Sequence, residues 1–418
     1  MIWQRAACEK EINCVRGADG LLIQADALTL DLTPFEGQVQ CVYLDPPYFT
    51  RERFEYKLRI GREGWTTGKR TLSLPAYDDF SASSKETYLA FLRKLIQTAH
   101  RLLREDGSFF LHMDHRMNAN ARLLCDEIFG EDNFVNEIIW SYQTGGRSMK
   151  YFSRKHDTIF FYGKSPKRFF DITKVPSGKK KDQSNHMKRR VDERGRSYRS
   201  IVTGGKTYIY YDDAPVYPDD VWADVSQMQQ KDPQRTGYAT QKPIALLNRI
   251  IRCSTRPGDL VADLACGSGT TLVASAENGR RFLGVDSSPH AISSARKRLK
   301  EAAVQVVAPL SPVSAMVDAS VLPGIGFYDV QLNAYTLPQS AFAALEGISG
   351  INGLDAVDQW YAGLLKGQDF KVYAGSVRDK TTPELSKVLK VPLLRGTVGI
   401  LIVDVLGNRS LWTASTQI

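Results

Sequence analysis

Asp45, Pro46, Pro47 and Tyr48 form a short acidic and aromatic motif directly after the apolar stretch 39–44. That stretch is predicted to be a buried strand, and proline cannot continue a central strand, so the chain leaves the sheet at the motif. The exocyclic amino nitrogen of adenine or cytosine is a poor nucleophile until acceptors hold its hydrogens. The Asp45 carboxylate and the Pro46 carbonyl can supply two acceptors, and the Tyr48 ring can stack on an extruded base. The alternative is an ordinary turn with an exposed tyrosine.

A second candidate site is a glycine-rich turn between a predicted strand and a predicted helix. It consists of Ala265, Cys266, Gly267, Ser268, Gly269, Thr270 and Thr271. Glycine lets the backbone turn tightly and approach a ligand closely, although a simple strand-to-helix turn has the same pattern. Asp286 ends the next predicted strand, where an acidic side chain can accept hydrogen bonds from both hydroxyls of a ribose. A dinucleotide fingerprint would need glycine at Leu272, so S-adenosylmethionine, which has no pyrophosphate, fits the pattern.

The positive charge of the chain is concentrated in one region. The 418 residues carry a net charge of +9, but residues 144–200 alone contain 17 lysines and arginines against 5 acidic residues. The densest clusters are Lys179, Lys180, Lys181, Lys188, Arg189 and Arg190. Such a run is either a solvated face or the electrostatic footprint of a nucleic acid.

The composition excludes several classes of protein. The chain is 43% hydrophobic and 24% charged, as in ordinary globular proteins. The sequence contains no apolar run of 18 residues, so no membrane span is predicted, and its amino terminus has no signal-peptide core. We therefore expect a cytoplasmic protein without membrane association. The six cysteines include no C-x-x-C pair, and no metal site is expected. His112, Asp114 and His115 surround a strand end, which is poor geometry for chelation.

Predicted strands alternate with predicted helices, as in βαβ units that form a parallel sheet. Strands are predicted at 21–25, 39–44, 108–112, 260–263 and 281–285, and helices from a capping box at Ser83 and Glu86, at 118–129, at 243–253, from Thr270 and from Pro289. Residues 49–82 are expected to be irregular. Prolines after residue 303 predict a linker into a smaller domain with a buried strand at 398–403.

Taken together, these motifs resemble those of the beta class of DNA adenine-N6 methyltransferases, near the modification subunits of type III restriction systems. The matching stretches are 45–48 (D-P-P-Y), 112–114 (H-x-D), 129–137 (F-G-x-x-N-F-x-N-E), 237–243 (G-Y-x-T-Q-K-P) and 267–271. They lie within about residues 20–302, in the circular order of this class. The sequence departs from the family pattern at Leu264 and Ala265, where Pro-Phe is usual, and at Phe49, where Asn is usual.

The resemblance implies a Rossmann-like α/β methyltransferase fold with permuted motif order. In the permuted sheet, the strand at 21–25 would stand beside the strand that ends at Asp286. The implied parts are a catalytic half (1–143), an inserted target-recognition region (144–236), a cofactor-binding half (237–303) and a small accessory domain (304–418). A chain ending near Ala303 is expected to keep its cofactor site.

The resemblance also implies residue roles. Asp45 to Tyr48 would be catalytic, whereas Asp263, the glycine turn and Asp286 would bind S-adenosylmethionine. Asp26 would either touch the adenine of the cofactor or cap the following helix. Apart from the resemblance, Lys242 opens a predicted helix next to the cofactor half, so it would either reach the carboxylate of the cofactor or pack at that helix amino terminus.

The implied function is methyl transfer to adenine N6 in duplex DNA after base flipping. Cytosine-N4 methylation needs the same acceptors, but in this family aspartate at the first motif position favours adenine and serine favours cytosine. A non-catalytic DNA-recognition subunit and structure-specific RNA binding are further alternatives. The partners expected beside DNA are a second copy of the chain or a restriction or defence-system protein.

Overall fold

The computed structural model describes residues 3–7, 10–13, 20–80, 83–142, 148–177, 187–229, 232, 235–238, 241–311, 315–337 and 353–414. Within these ranges, no helix combines the length and apolar character needed to cross a membrane.

The strands before residue 230 are β1 (Trp3–Ala6), β2 (Lys10–Asn13), β3 (Gly20–Gln24), β4 (Val39–Leu44), β5 (Arg53–Arg59), β6 (Thr71–Asp78), β7 (Leu103–Met113), β8 (Phe134–Ser141), β9 (His156–Gly163), β10 (Arg189–Val191), β11 (Ser197–Thr203), β12 (Lys206–Tyr211) and β13 (Val221–Trp222). The later strands are β14 (Leu260–Asp263), β15 (Arg281–Asp286), β16 (Val304–Val307), β17 (Met316–Pro323), β18 (Phe327–Thr336), β19 (Val357–Lys366), β20 (Asp369–Val377), β21 (Val388–Pro392), β22 (Thr397–Asp404) and β23 (Arg409–Ala414). The α-helices are α1 (Gly61–Thr66), α2 (Lys85–Leu102), α3 (Asn118–Phe129), α4 (Ile244–Ser254), α5 (Thr270–Glu277) and α6 (Pro289–Arg298).

One large sheet carries the strand order β1-β23-β22-β19-β20-β2-β16-β3-β15-β14-β4-β7-β9-β8-β13. Its central part, from β16 to β7, is parallel. Every residue of β4 is buried, as expected for a strand covered on both faces. β3 stands beside β15, as the permuted order predicts. The predicted α/β fold class is therefore confirmed.

The predicted helices are present, but the N-cap of α2 lies one residue later than predicted. α2 begins with Ser84, whose hydroxyl accepts a hydrogen bond from the backbone N–H of Thr87 at 3.2 Å, so the capping box predicted at Ser83 and Glu86 is displaced by one residue. The face of α2 that meets the sheet contains the expected apolar stripe of Tyr88, Leu92, Leu95, Ala99 and Leu102. α3 has the predicted bounds.

The expectation that residues 49–82 are irregular is wrong. β5 and β6 pair antiparallel, with α1 between them. In β5 the apolar residues Phe54, Tyr56 and Leu58 alternate with charged residues, which is the period of a half-buried strand. The tyrosine and the leucine are buried, and the other face of the strand is more exposed.

The boundary predicted at residue 303 does not separate two sheets. β16 pairs in parallel with β3, and β2 joins β16 to β20, so strands after residue 303 extend the central sheet. The physical reason is that β15 covers only one edge of β3, and the backbone groups of the other edge also need partners. The buried strand predicted at 398–403 is confirmed as β22.

The carboxy-terminal strands also cover the β5–β6 hairpin. Tyr56, Leu58 and Ile60 belong to one apolar cluster with Val330 and Trp360, all of which are buried. Two ion pairs border this contact, Lys297 with Asp358 at 2.5 Å and Arg70 with Asp355 at 3.3 Å.

A chain ending at residue 303 should therefore lose its native fold. It would leave one edge of β3 without a partner strand and expose Leu58 and Ile60, and each such side chain contributes about 1.5–3 kcal/mol when buried. Urea unfolding and size-exclusion chromatography would test this, with a chain ending at residue 414 as the control. A monomeric 1–303 chain that unfolds cooperatively would contradict the prediction.

Candidate active site

A cavity of about 610 Å³ is lined by residues of both predicted motifs. Asp45 follows β4, Asp263 ends β14 and Asp286 ends β15. Because these strands are parallel, their carboxyl ends meet at one edge of the sheet. The predicted residues that line the cavity are Asp26, Asp45, Pro47, Lys242, Asp263, Ala265, Cys266, Gly267, Ser268, Thr270, Thr271 and Asp286.

The Asp45 carboxylate accepts a hydrogen bond on each oxygen. The Tyr48 hydroxyl donates to Oδ1, and the Lys242 ammonium donates to Oδ2 at 2.5 Å. Burial, together with the charge of Asp45, raises the pKa of Tyr48 well above its ordinary value, so the hydroxyl stays protonated and donates. Asp45 is thus held as an acceptor in the wall of the cavity.

Asp79 holds the backbone that follows the first motif. Its carboxylate accepts from the backbone N–H groups of Tyr48, Phe49 and Thr50 at 3.2, 2.9 and 2.8 Å. Phe49 and Arg51 have φ angles of 60° and 61°, a region that non-glycine residues rarely adopt, and the clamp stabilises this bend. Sequence reasoning missed Asp79 because no local pattern links it to a motif about 30 residues earlier.

A buried polar chain lies beside Tyr48. His112 is fully buried, with Nδ1 2.8 Å from the hydroxyl of Tyr43 and Nε2 3.2 Å from a carboxylate oxygen of Asp157. Burial opposes ionisation of Asp157, but the hydrogen bonds from His112 and Tyr142 and the charge of His112 hold its pKa below the ordinary value. The His112 ring stacks on Tyr48 at 6.1 Å between centroids. The H-x-D stretch therefore orients Tyr48 through its histidine.

The two prolines have different surroundings. Pro47 lines the cavity, and its carbonyl accepts a hydrogen bond from the Tyr88 hydroxyl at 2.7 Å. Pro46 is buried directly beside it. The role of the Pro46 carbonyl as a second acceptor stays a prediction.

The glycine turn needs its glycines. Gly267 and Gly269 have φ angles of 50° and 77°. A Cβ atom at Gly269 would lie 2.7 Å from the Cβ of Ala295 in α6, so only glycine permits this helix to approach. Arg298, which sequence reasoning also missed, donates from α6 to the carbonyl of Ser268 at 2.9 Å and fixes the turn. Burial lowers the pKa of Arg298 to about 10.

Asp263 supports the turn from inside the sheet. Its carboxylate accepts from the N–H of Ala265 at 3.1 Å and from the hydroxyl of Thr271 at 2.6 Å. Burial raises the pKa of Asp263 to about 7, and the charges of Asp45 and Asp286 act in the same direction.

Asp286 offers acceptors to the cavity. Its two carboxylate oxygens accept from the N–H groups of Gly267 at 2.8 Å and Ser288 at 2.9 Å. Burial raises its pKa above the ordinary value. Because each carboxylate oxygen has more than one lone pair, both can also accept from neighbouring ribose hydroxyls.

Asp26 and Lys242 each had two alternative roles, and their contacts differ in how they fit those alternatives. Asp26 caps the turn after β3, since its carboxylate accepts from the N–H of Leu28 at 2.9 Å, and it also lines the cavity. Lys242 lines the cavity but pairs with Asp45, which neither sequence interpretation anticipated.

The residues that line the cavity fit S-adenosylmethionine. The acidic side chain at the end of β15, the close glycine turn and the neighbouring Asp26 suit a nucleoside that carries no phosphate. Within the described parts of the chain, no group of three or more His, Cys, Asp or Glu side chains could hold a metal ion.

The predicted DNA-contacting residues lie in and beside a small separate sheet. Lys179, Lys180 and Lys181 lie outside the described residues. Lys188, Arg189 and Arg190 are exposed in and next to β10, the edge of the β10-β11-β12 sheet. Arg189 pairs with Asp212 at 2.7 Å, and the exposed large hydrophobic side chains of β12 are Tyr208, Ile209 and Tyr210. The sheet thus has cations at one edge strand, β10, and exposed tyrosines on the other, β12.

The profile of a DNA methylase family that acts on N6 or N4 matches residues 39–297. The chain is similar to the DNA adenine methyltransferase YhdJ of Escherichia coli K12, at 25% identity over 66% of this chain and 82% of that protein. It is also similar to the EcoP15I Mod subunit of a type III restriction-modification enzyme from Escherichia coli, at 28% identity over 36% of this chain and 25% of that subunit. A solved putative DNA modification methylase of Thermus thermophilus, complexed with S-adenosylmethionine, is 19% identical over 70% of this chain and 99% of that chain, with a TM-score of 0.41.

The raised pKa of Asp263 predicts a specific pH dependence of stability. The folded state binds this proton more tightly than the unfolded chain, whose aspartate pKa is near 4, so the group stabilises the fold at low pH and this contribution is lost as pH rises to about 7. Asp263→Asn cannot titrate. The free energy of unfolding of the wild type, minus that of the variant, should fall between pH about 4 and 7.

Urea unfolding at several pH values measures this difference, in which the contributions of titrating groups that do not interact with Asp263 cancel. A difference that stays constant across the window would show that Asp263 has an ordinary pKa in the folded protein.

Proposed function

Because the chain belongs to the N6/N4 DNA methylase family, whose methyl donor is S-adenosylmethionine, we propose that it methylates N6 of an adenine flipped out of duplex DNA. The observation that carries the proposal is that the Asp45 carboxylate and the glycine turn line one cavity. A nucleophile held at Asp45 and a nucleoside held at Asp286 therefore meet without any rearrangement of the sheet.

Asp45 is proposed to accept a hydrogen bond from the target amino group, which draws the nitrogen lone pair out of the purine ring. The carboxylate also stabilises the positive charge that develops on this nitrogen during the reaction. The Tyr48 ring offers a stacking surface, and His112 and Asp79 hold that ring and its backbone in place.

The predicted cofactor-binding residues are proposed to hold different parts of S-adenosylmethionine. Bound S-adenosylmethionine supplies a methyl group made electrophilic by its sulfonium. Asp286 is proposed to hold the ribose, Asp26 the adenine, and the turn at 265–271 the methionine part that is attached to the ribose. Asp263 and Arg298 stabilise the shape of that turn through their hydrogen bonds.

Two observations support adenine over cytosine. The first position of the catalytic motif is aspartate, Asp45. The similar protein YhdJ is named as an adenine methyltransferase. Cytosine-N4 methylation remains the second candidate because its amino group needs the same acceptors.

Duplex DNA is proposed to lie against the β10-β11-β12 sheet. Lys188, Arg189 and Arg190 can neutralise phosphates, and the region that contains them carries the excess positive charge of the chain. Similarity to the EcoP15I Mod subunit favours a restriction protein as a further partner. We also propose that the chain can pair with a second copy of itself and that it is located in the cytoplasm.

Asp45→Asn should abolish methyl transfer and leave the cofactor bound. Removing a transition-state interaction of this kind costs about 10²–10³-fold in rate.

Asp286→Ala is the reciprocal variant and should weaken binding of S-adenosylmethionine by about 1–3 kcal/mol. Mass spectrometry of nucleosides from methylated DNA and titration calorimetry measure the two effects.

Retention of a tenth of wild-type turnover by Asp45→Asn would remove its assigned role. An unchanged dissociation constant in Asp286→Ala would place the ribose elsewhere. A wild-type chain that binds DNA without methylating it would support the non-catalytic alternative.

The basic edge strand gives a separate prediction. Replacing Lys188, Arg189 and Arg190 with Gln should weaken DNA binding and reduce the slope of log affinity against log salt by about 0.9 for each phosphate that is no longer neutralised. The matched control replaces three exposed lysines of the carboxy-terminal strands and loops, Lys366, Lys380 and Lys387, with Gln. Equal slopes for the two triple variants would show that β10 is only a solvated edge.

A further inference from the structure

The Lys242 ammonium lies against the two groups that a target base needs, the Asp45 carboxylate and the Tyr48 ring. Its Nζ atom lies 2.5 Å from Oδ2 of Asp45 and 5.3 Å from the centroid of the Tyr48 ring. The pair is largely shielded, with side-chain exposures of 11% for Lys242 and 15% for Asp45. A protonated amine thus sits against both the acceptor and the aromatic ring.

We propose that Lys242 holds the place of the target amino group, and that the carboxylate of the bound cofactor draws it away from Asp45. Lys242 is a positioning residue in this proposal, because it acts through the acceptor that it releases. The inference rests on the proposed function of Asp45 as the acceptor for the target amine.

Chemistry requires the lysine to leave. While the ammonium is bound, it occupies the space beside Oδ2 of Asp45 and the Tyr48 ring that an amino group of a stacked base would need. The nitrogen of the base also becomes positive during methyl transfer, and a second cation on Asp45 would oppose that charge. The resting pair therefore blocks both the binding and the activation of an amino group.

Departure of Lys242 needs a replacement partner. A shielded ammonium that loses its carboxylate without gaining another is strongly destabilised. Lys242 lines the same cavity as Gly267 and Asp286, where the cofactor is proposed to bind, so an entering carboxylate can take over the pair. One ion pair is then exchanged for another.

The backbone next to Lys242 suits a movement confined to the side chain. Pro243 follows directly and serves as the N-cap of α4, which fixes the chain at this point. The flexible four-carbon stem of lysine can then carry the ammonium between two acceptors in one cavity.

The exchange couples the two ligands. A cofactor that carries a carboxylate should strengthen capture of the base, and a captured base should strengthen cofactor binding by the same factor. A nucleoside that lacks the carboxylate should bind without this coupling.

The experiment compares S-adenosylhomocysteine, which has the carboxylate, with 5′-methylthioadenosine, which lacks it. Calorimetry gives the dissociation constants for the wild type, Lys242→Met and Lys242→Arg. We expect Lys242→Met to weaken S-adenosylhomocysteine at least tenfold, to leave 5′-methylthioadenosine unchanged or tighter, and Lys242→Arg to restore most of the difference.

Lys297→Met is the matched control, since Lys297 is 12% exposed and lies 2.5 Å from its partner Asp358 outside the cavity. It should cost similar stability without discriminating between the two nucleosides.

A duplex with 2-aminopurine directly next to the target adenine reports extrusion of that adenine by a rise in fluorescence, and the target keeps its own amino group. In the wild type, S-adenosylhomocysteine should increase extrusion about fivefold or more over 5′-methylthioadenosine, within the usual range of coupling. In Lys242→Met the two nucleosides should give equal extrusion.

Equal weakening of both nucleosides, or no change in either, in Lys242→Met would overturn the proposal. Failure of the wild type to methylate DNA would instead contradict the proposed function, and the calorimetric comparison would still report whether Lys242 meets the carboxylate.

Discussion

The crowding of negative charge at one edge of the sheet is the constraint on which the site depends. Asp45, Asp263 and Asp286 come from three neighbouring strands and line one cavity. Like charges in a poorly hydrated space repel, so each needs its own compensation. A lysine and a tyrosine satisfy the first, burial raises the pKa of the second to about 7, and two backbone N–H groups hold the third.

The rest of the fold maintains that arrangement. The parallel strands bring the carboxylates to one edge, although the two motifs, at 45–48 and 265–271, are far apart in the sequence. Asp79 fixes the bend after the catalytic motif, and Arg298 fixes the glycine turn. The β5–β6 hairpin, which contributes Tyr77 to the cavity wall, is covered in turn by the carboxy-terminal strands. Those strands therefore act on the site through packing.

Local patterns predicted the parts of the molecule that depend on neighbours in sequence. The buried run at 39–44, the glycine turn and the helices after it were identified because each has its own periodicity or turn chemistry. The hairpin at 53–78 was not predicted although the alternation in β5 is visible, because its many charged residues are equally typical of a loop. Asp79, Arg298 and the pairing of Lys242 could not be predicted, because these contacts form only when distant strands assemble.

Modification-sensitive long-read sequencing of DNA from cells that express the chain is the most direct test of the central claim. It reports the modified base, its position and its surrounding sequence together. The account predicts N6-methyladenine at one fixed position of a recurring duplex motif, and no modification when Asp45 is replaced by Asn. N4-methylcytosine at such a motif, or unmodified DNA from cells containing the folded wild-type chain, would contradict it.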